Sequence, residues 1–148
     1  NVAFGVERDK INHDRVMTSL RLSHLHDFVS TLPNGINTYL GEDGARLSGG
    51  QKQRLGIARA LYNDPDIIVF DEMTASLDSV TEEKIMSEIF EMKKSKTIVI
   101  ITHKINTINT CNKIYVLDGG QVVDSGTYNE LIVSSAKFKN LASVHNYN

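Results

Sequence analysis

The chain has 148 residues, 41% of them hydrophobic and 23% charged, with a net charge of −2. That length holds one domain with a modest core, and the charge gives no general pull toward nucleic acid or anionic lipid and disfavours a broad basic face. A single cysteine, Cys111, excludes a disulfide framework and lacks clustered partners for zinc, so it reads as a small buried residue in a reducing setting.

No apolar stretch approaches the length of a membrane-crossing helix, and the longest runs, 67–70 and 98–101, are strand-sized. The N-terminus carries no signal-peptide pattern. It opens on Asn1-Val2-Ala3-Phe4-Gly5 without an initiator Met, so the chain is expected to be a fragment of something longer.

From Asn12 to about Leu32 the apolar residues Val16, Leu20, Leu22, Leu25, Phe28 and Val29 recur at helical spacing, with Asn12 or Asp14 as a cap. Pro33-Asn34-Gly35 stops the second of two helices, and the glycine-rich stretch 36–50 reads as a loop. A helix follows from about Gly50 to Tyr62, with Leu55, Ala58, Leu61 and Tyr62 on its apolar face. Asn63-Asp64-Pro65 ends it, because proline disfavours the helical conformation of its predecessor.

Ile67 to Phe70 is wholly apolar between Asp66 and Asp71, the pattern of a strand buried on both faces of a parallel sheet. A helix over about 79–92 presents Ile85, Ile89 and Met92. A second buried strand spans 97–101, a short helix 105–110 and a third strand 113–117. Asp118-Gly119-Gly120 turns the chain into 121–126 as a hairpin partner. Thr127 and Glu130 have capping-box spacing, and a last short helix covers about 135–144. There is no internal repeat and no low-complexity segment. The division expected is a helical signature-motif subdomain over 1–62, an α/β core portion over 63–127 and C-terminal helices over 128–148.

Three places could carry chemistry. Ser48-Gly49-Gly50-Gln51 lies at a helix start, where unpaired N–H groups and the positive end of the helix dipole meet. Glycines there admit a bulky anion close to the backbone and Ser48 adds a hydroxyl, which together suit phosphate oxygens. Taken alone, the run reads first as a plain serine cap with a glycine turn. Asp71-Glu72 ends a buried strand, where α/β proteins bind ligands. Asp71 is placed for Mg²⁺ and Glu72 to orient or deprotonate a water, though two solvated acids would look the same. His103 follows the next strand and could bond a γ-phosphate or the attacking water; a lone histidine is more often structural, and taken alone His103 reads so.

Their joint occurrence narrows the reading. Leu47-Ser48-Gly49-Gly50-Gln51-Lys52-Gln53-Arg54, then Ile67-Ile68-Val69-Phe70-Asp71-Glu72, then Ser76-Leu77-Asp78, then Thr102-His103, in this order, resemble the ABC ATPase family across essentially the whole chain. The resemblance implies that Ser48, Gly49 and Gly50 of the Leu47–Gln51 signature contact the γ-phosphate of ATP, with Gln51 beside them. It implies Asp71 for Mg²⁺, Glu72 as the catalytic carboxylate, His103 as the γ-phosphate switch and Asp78 at a dimer interface coupling two sites. Gly41-Glu42-Asp43-Gly44 resembles the exporter-type segment that meets the membrane domain, with Glu42 its key acid. The chain departs from the family in reading Met73-Thr74-Ala75-Ser76 where Ala-Thr-Ser-Ala is frequent, and Lys104 where Arg is frequent.

No Gly-x-x-x-x-Gly-Lys-Ser/Thr occurs in the chain, and that loop is what wraps ATP phosphates. The family's adenine-stacking aromatic and loop glutamine would lie upstream as well. The fold implied is α/β, a P-loop-NTPase-like parallel sheet with a helical signature subdomain, lacking the phosphate-loop strand. In the family each ATP is sandwiched between one subunit's phosphate loop and the other's signature. This chain is therefore expected to bind ATP weakly or not at all alone and to be inactive, while its parent is an ATPase using ATP and Mg²⁺.

The partners expected are a second ABC ATPase domain and a transmembrane domain, at the cytoplasmic face of a membrane, with no nucleic acid. Residues 44–51 and 59–62 look most like exporters that flip lipids or lipid-linked oligosaccharides. Two other readings compete. A DNA-repair or chromosome-organising ABC ATPase would carry long coiled coil beside the signature, and none occurs here. A non-enzymatic half-domain would not need Glu72, His103 and the signature intact.

Overall fold

The computed structural model describes residues 1–74, 76–105 and 108–144, in two compact units, 1–100 and 101–148. The helix expected over 105–110 lies partly outside the described residues.

In the first unit, α1 spans His13–Leu22, and Asn12 caps it by accepting the Arg15 N–H. α2 spans His26–Ser30 and α3 Gly49–Tyr62. Short 3₁₀ turns at Gly35–Asn37 and Glu42–Gly44 interrupt the stretch expected as plain loop. α1 and α3 pack through Val16, Leu20, Leu55, Ala58 and Tyr62, with Leu25 and Leu47 closing that core. The Tyr62 hydroxyl accepts the Asn12 N–H at 2.9 Å, tying the end of α3 to the start of α1.

β1 (Ile67–Asp71) and β2 (Thr97–Ile101) form a two-stranded parallel sheet, joined by α4 (Ser79–Met92) as the crossover. Ile85 and Ile89 of α4 pack with Ile57 and Leu61 of α3 on Ile68 and Phe70. The expectation of strands buried on both faces is corrected. Ile68 and Phe70 are buried, but Ile67 and Val69 are 63% and 60% exposed, and Val99 and Ile101 are exposed likewise. Side chains alternate between sheet faces, and among the described residues only one face receives a helix layer. Lys96 bridges Asp64 at 2.7 Å and donates to the Pro65 carbonyl, fixing the turn into β1.

In the second unit, β3 (Ile114–Asp118) pairs antiparallel with β4 (Gln121–Gly126) through the Gly119-Gly120 turn, with a bulge at Val116/Leu117. The third strand thus has the hairpin partner read from the sequence. α5 (Tyr128–Ser134) starts with the Thr127–Glu130 capping box, and α6 covers Ala136–Val144. Ile114, Val116, Leu131 and Phe138 form this unit's core, and Tyr128 meets Phe138 edge to face at 5.5 Å. Cys111 is half-buried at its margin rather than fully inside. Among the described residues no helix is long and apolar enough to cross a membrane.

Candidate functional site

The start of α3 carries a complete capping box. The Ser48 Oγ accepts the Gln51 N–H at 3.3 Å, and the Gln51 Oε1 accepts the Ser48 N–H at 2.8 Å. These bonds decide what the helix end can still offer. The Gln51 N–H and the Ser48 N–H are spent, and so is the Gln51 side-chain oxygen. The Ser48 hydroxyl, having accepted, keeps its own proton to donate. Gly49 and Gly50, in the first turn, have no intrahelical acceptor for their N–H groups. Ser48 and Gly49 are exposed and Gly50 half-buried, so an anion can reach these three donors, while Leu47 turns inward as a core residue.

The two glycines serve different ends. A Cβ at Gly49 would stand 3.6 Å from Ser76 Cβ, an ordinary contact. A Cβ at Gly50 would stand 3.0 Å from the Ser76 carbonyl oxygen and 3.4 Å from Leu77 Cδ2. A side chain at Gly50 would thus crowd residues 76–77, whereas the sequence alone assigns both glycines to the approach of an anion.

Thr74, Ser76 and Asp78 are each held by a hydrogen bond. The Ser76 N–H donates to Gln53 Oε1 at 2.9 Å, and the buried Thr74 hydroxyl donates to Glu82 Oε1 at 2.8 Å. Asp78 caps α4 by accepting the Thr81 N–H at 2.9 Å. That backbone bond, then the Thr81 hydroxyl, and less the Arg54 charge, hold the Asp78 carboxyl below the ordinary carboxylate range. Ser48, Gly49, Gly50, Arg54, Ser76, Leu77, Asp78 and Thr81 together line a cleft of about 430 Å³. Asp78 therefore shares one cleft with the signature of its own chain.

Asp71 ends β1 and is exposed, and Glu72 follows it, also exposed. Glu72 has φ = +45°, the left-handed region, which costs a non-glycine residue about 1–2 kcal/mol. Such strain persists where the surroundings over-determine it and clusters at functional positions. Among the described residues no three His, Cys, Asp or Glu side chains converge as a metal cage. Mg²⁺ does not need one, since it is held by one or two carboxylates together with substrate phosphates, and Asp71 fits that demand.

Glu42 is exposed at the start of its 3₁₀ turn, behind Gly41 at φ = +80°. His103 lies in the second unit, exposed, just past β2. Within the first unit the structure brings Ser48, Gly49, Gly50 and Asp78 to one cleft; Asp71 and Glu72 lie at a strand end and Glu42 in a separate turn. Gln53 and Ser76 are not recognisable as a pair from the sequence, because a bond between residues so far apart leaves no periodicity or composition signal.

The first unit is thus an α/β arrangement with unused donors at an exposed helix start and two consecutive carboxylates, Asp71 and Glu72, at and just past the end of a parallel strand. Residues 7–75 match the family described as ABC transporter. The chain is 41% identical over 141 residues to an ATP-dependent lipid A-core flippase of Saccharophagus degradans, covering 95% of this chain and 24% of the flippase. It is 38% identical over 141 residues to the ABC multidrug transporter MDR2 of Trichophyton equinum, covering 95% of this chain and 11% of that protein. The solved structure of a bacterial Atm1-family ABC exporter with ATP bound superposes with a TM-score of 0.90 at 33% identity, over 99% of this chain and 25% of that one. The chain belongs to the ABC transporter family, as a portion of a nucleotide-binding domain of the exporter type. It spans a quarter or less of the length of these relatives.

Proposed function

We propose that this chain belongs to the ATP-hydrolysing motor of an ABC exporter, and that the start of α3 receives the γ-phosphate of an ATP held by a second copy of the domain. The observation that carries this reading is the set of donors left at Ser48, Gly49 and Gly50 after the capping box is closed. They converge on a terminal phosphate as a fixed, low-reorganisation anion site. Leu47 anchors the run in the core and Gln51 holds Ser48 in place.

Glu72 accepts a hydrogen bond from the attacking water and orients it in line with the γ-phosphorus. As the new P–O bond forms and the bond to the β-phosphate oxygen breaks, the water's proton is released toward this carboxylate. The His103 imidazole donates to a γ-phosphate oxygen and reports whether that phosphate is still attached. Asp71 would hold Mg²⁺, which neutralises phosphate charge when bound. Asp78 lines the same cleft as the anion donors, which supports a role in linking two nucleotide sites.

The exposed turn at Glu42 supports docking on a transmembrane domain, which puts the motor at the cytoplasmic face of a membrane. The substrate proposed is a lipid or lipid-linked saccharide, in line with the flippase name of the Saccharophagus degradans relative. Nothing in the net charge of −2 favours nucleic acid as a partner.

The experiment is Glu72→Gln in the full-length protein. ATP should still bind while turnover falls by at least about a hundredfold, the usual scale for a positioned general base. Hydrolysis unchanged in that variant would remove Glu72 from its role. The 148-residue chain alone should show no ATP binding by calorimetry at micromolar concentration, because it contains no phosphate-loop sequence.

A further inference from the structure

The contact of α3 with Ser76 and Leu77 has a use that packing alone does not require. Ser76 faces α3 on both sides of its backbone: its N–H donates to Gln53 Oε1 at 2.9 Å, and its carbonyl oxygen lies so near Gly50 that a Cβ there would stand 3.0 Å away. Gln53 and Gly50 both belong to the first turns of α3, whose tip carries the anion donors. From Ser76 the chain runs back through the buried Thr74, locked to Glu82, to the left-handed Glu72. It runs forward to Asp78, locked to Thr81.

From this geometry we infer that Gln53 is a positioning residue: its side-chain amide couples the phosphate-receiving tip of α3 to the loop that sets Glu72 and Asp78 in the same chain. The inference deepens the proposed function and rests on it. A phosphate drawn onto Ser48, Gly49 and Gly50 loads α3, and the Gln53 amide ties α3 directly to the backbone of this loop. The phosphate comes from one nucleotide site and Glu72 acts at the other. The amide therefore carries information between the two sites, through one polar contact backed by the glycine packing.

The physical requirement is an acceptor at the position of Oε1. Gln53→Leu keeps size and helix propensity but removes it, leaving the Ser76 N–H without that acceptor. Gln53→Glu keeps an acceptor oxygen. In the full-length protein Gln53→Leu should lower kcat by about three- to tenfold, the scale of one lost hydrogen bond, with KM for ATP within about twofold of the parent and weaker cooperativity in ATP. Gln53→Glu should recover most of that kcat. Hydrogen exchange supplies the second readout. In Gln53→Leu the Ser76 amide should exchange faster, while the amides of α3 and α4 keep their protection.

A merely structural role would lower stability and leave kcat per folded molecule and the kcat/KM split unchanged; that outcome overturns the inference. So does unchanged exchange at Ser76. Glu72→Gln, run alongside, separates the two levels. If it abolishes turnover while Gln53→Leu behaves as the parent, only the coupling fails. If Glu72→Gln hydrolyses ATP normally, the proposed function fails with it.

Discussion

Three glycines on α3 make a graded test of how the signature helix is held. Gly56 sits mid-helix, exposed, and a Cβ there meets nothing within 4 Å. Gly56→Ala should stabilise by about 0.5–1 kcal/mol, the ordinary gain of replacing a helical glycine. At Gly50 the same intrinsic gain is opposed by a Cβ 3.0 Å from the Ser76 carbonyl. That carbonyl cannot easily yield, because Gln53 holds the N–H of the same residue. Overpacking of this kind costs about 1–3 kcal/mol, so Gly50→Ala should be net destabilising and fall about 2 kcal/mol below Gly56→Ala. Gly49→Ala meets Ser76 Cβ at a comfortable 3.6 Å and should leave stability near the parent. Urea denaturation at equal m-values measures all three. Thermal midpoints should place Gly50→Ala about 4–8 °C below Gly56→Ala, at about 2–4 °C per kcal/mol for a chain of this size. If Gly50→Ala is as stable as Gly56→Ala, the close approach of Ser76 is wrong, and with it the reason given for glycine at that position.

Tyr62→Phe removes the acceptor for the Asn12 N–H in a residue only 5% exposed, and should cost about 1 kcal/mol by denaturation. The Asp78 carboxyl is lowered chiefly by the Thr81 backbone N–H, and the Glu130 carboxyl by the Thr127 backbone N–H. A lowered folded-state pKa gives stability that is present above the unfolded value, about 3.9 for Asp and 4.3 for Glu, and is lost as pH falls through the folded value. Stability against pH should therefore decline below about pH 4. Asp78→Asn and Glu130→Gln should flatten that decline, and an unchanged acid limb in both variants would contradict the caps.

Local chemistry is legible in the sequence; tertiary choices are not. Asn12 as a cap, and Thr127 with Glu130 as a capping box, follow from residues a few positions apart, and the structure has them. The α3 core face is readable from helical period, although the buried Ile57 lies outside the set read from it. The apolar run 67–70 announces a strand correctly, but which of its faces is covered depends on what packs there. Ile68 and Phe70 meet α3 and α4 while Ile67 and Val69 stay exposed. In the candidate site the serine-capped, glycine-rich helix start is legible. Two things are not: that Gln51 spends its side chain on capping Ser48, and that a side chain at Gly50 would crowd Ser76. The left-handed backbone at Glu72 leaves no mark in residue type, since glutamate is not a residue that favours it.

The central claim is that the α3 start serves an ATP held by the other copy, while Glu72 serves the ATP of its own. A linked dimer of the full-length protein tests it with two substitutions, Ser48→Arg and Glu72→Gln. With one in each half, both lesions fall on the same sandwiched site and the other site stays whole, so residual ATP hydrolysis should survive. With both in one half, each site carries one lesion and hydrolysis should vanish. The opposite ranking, with more turnover when both substitutions share a half, would contradict the account.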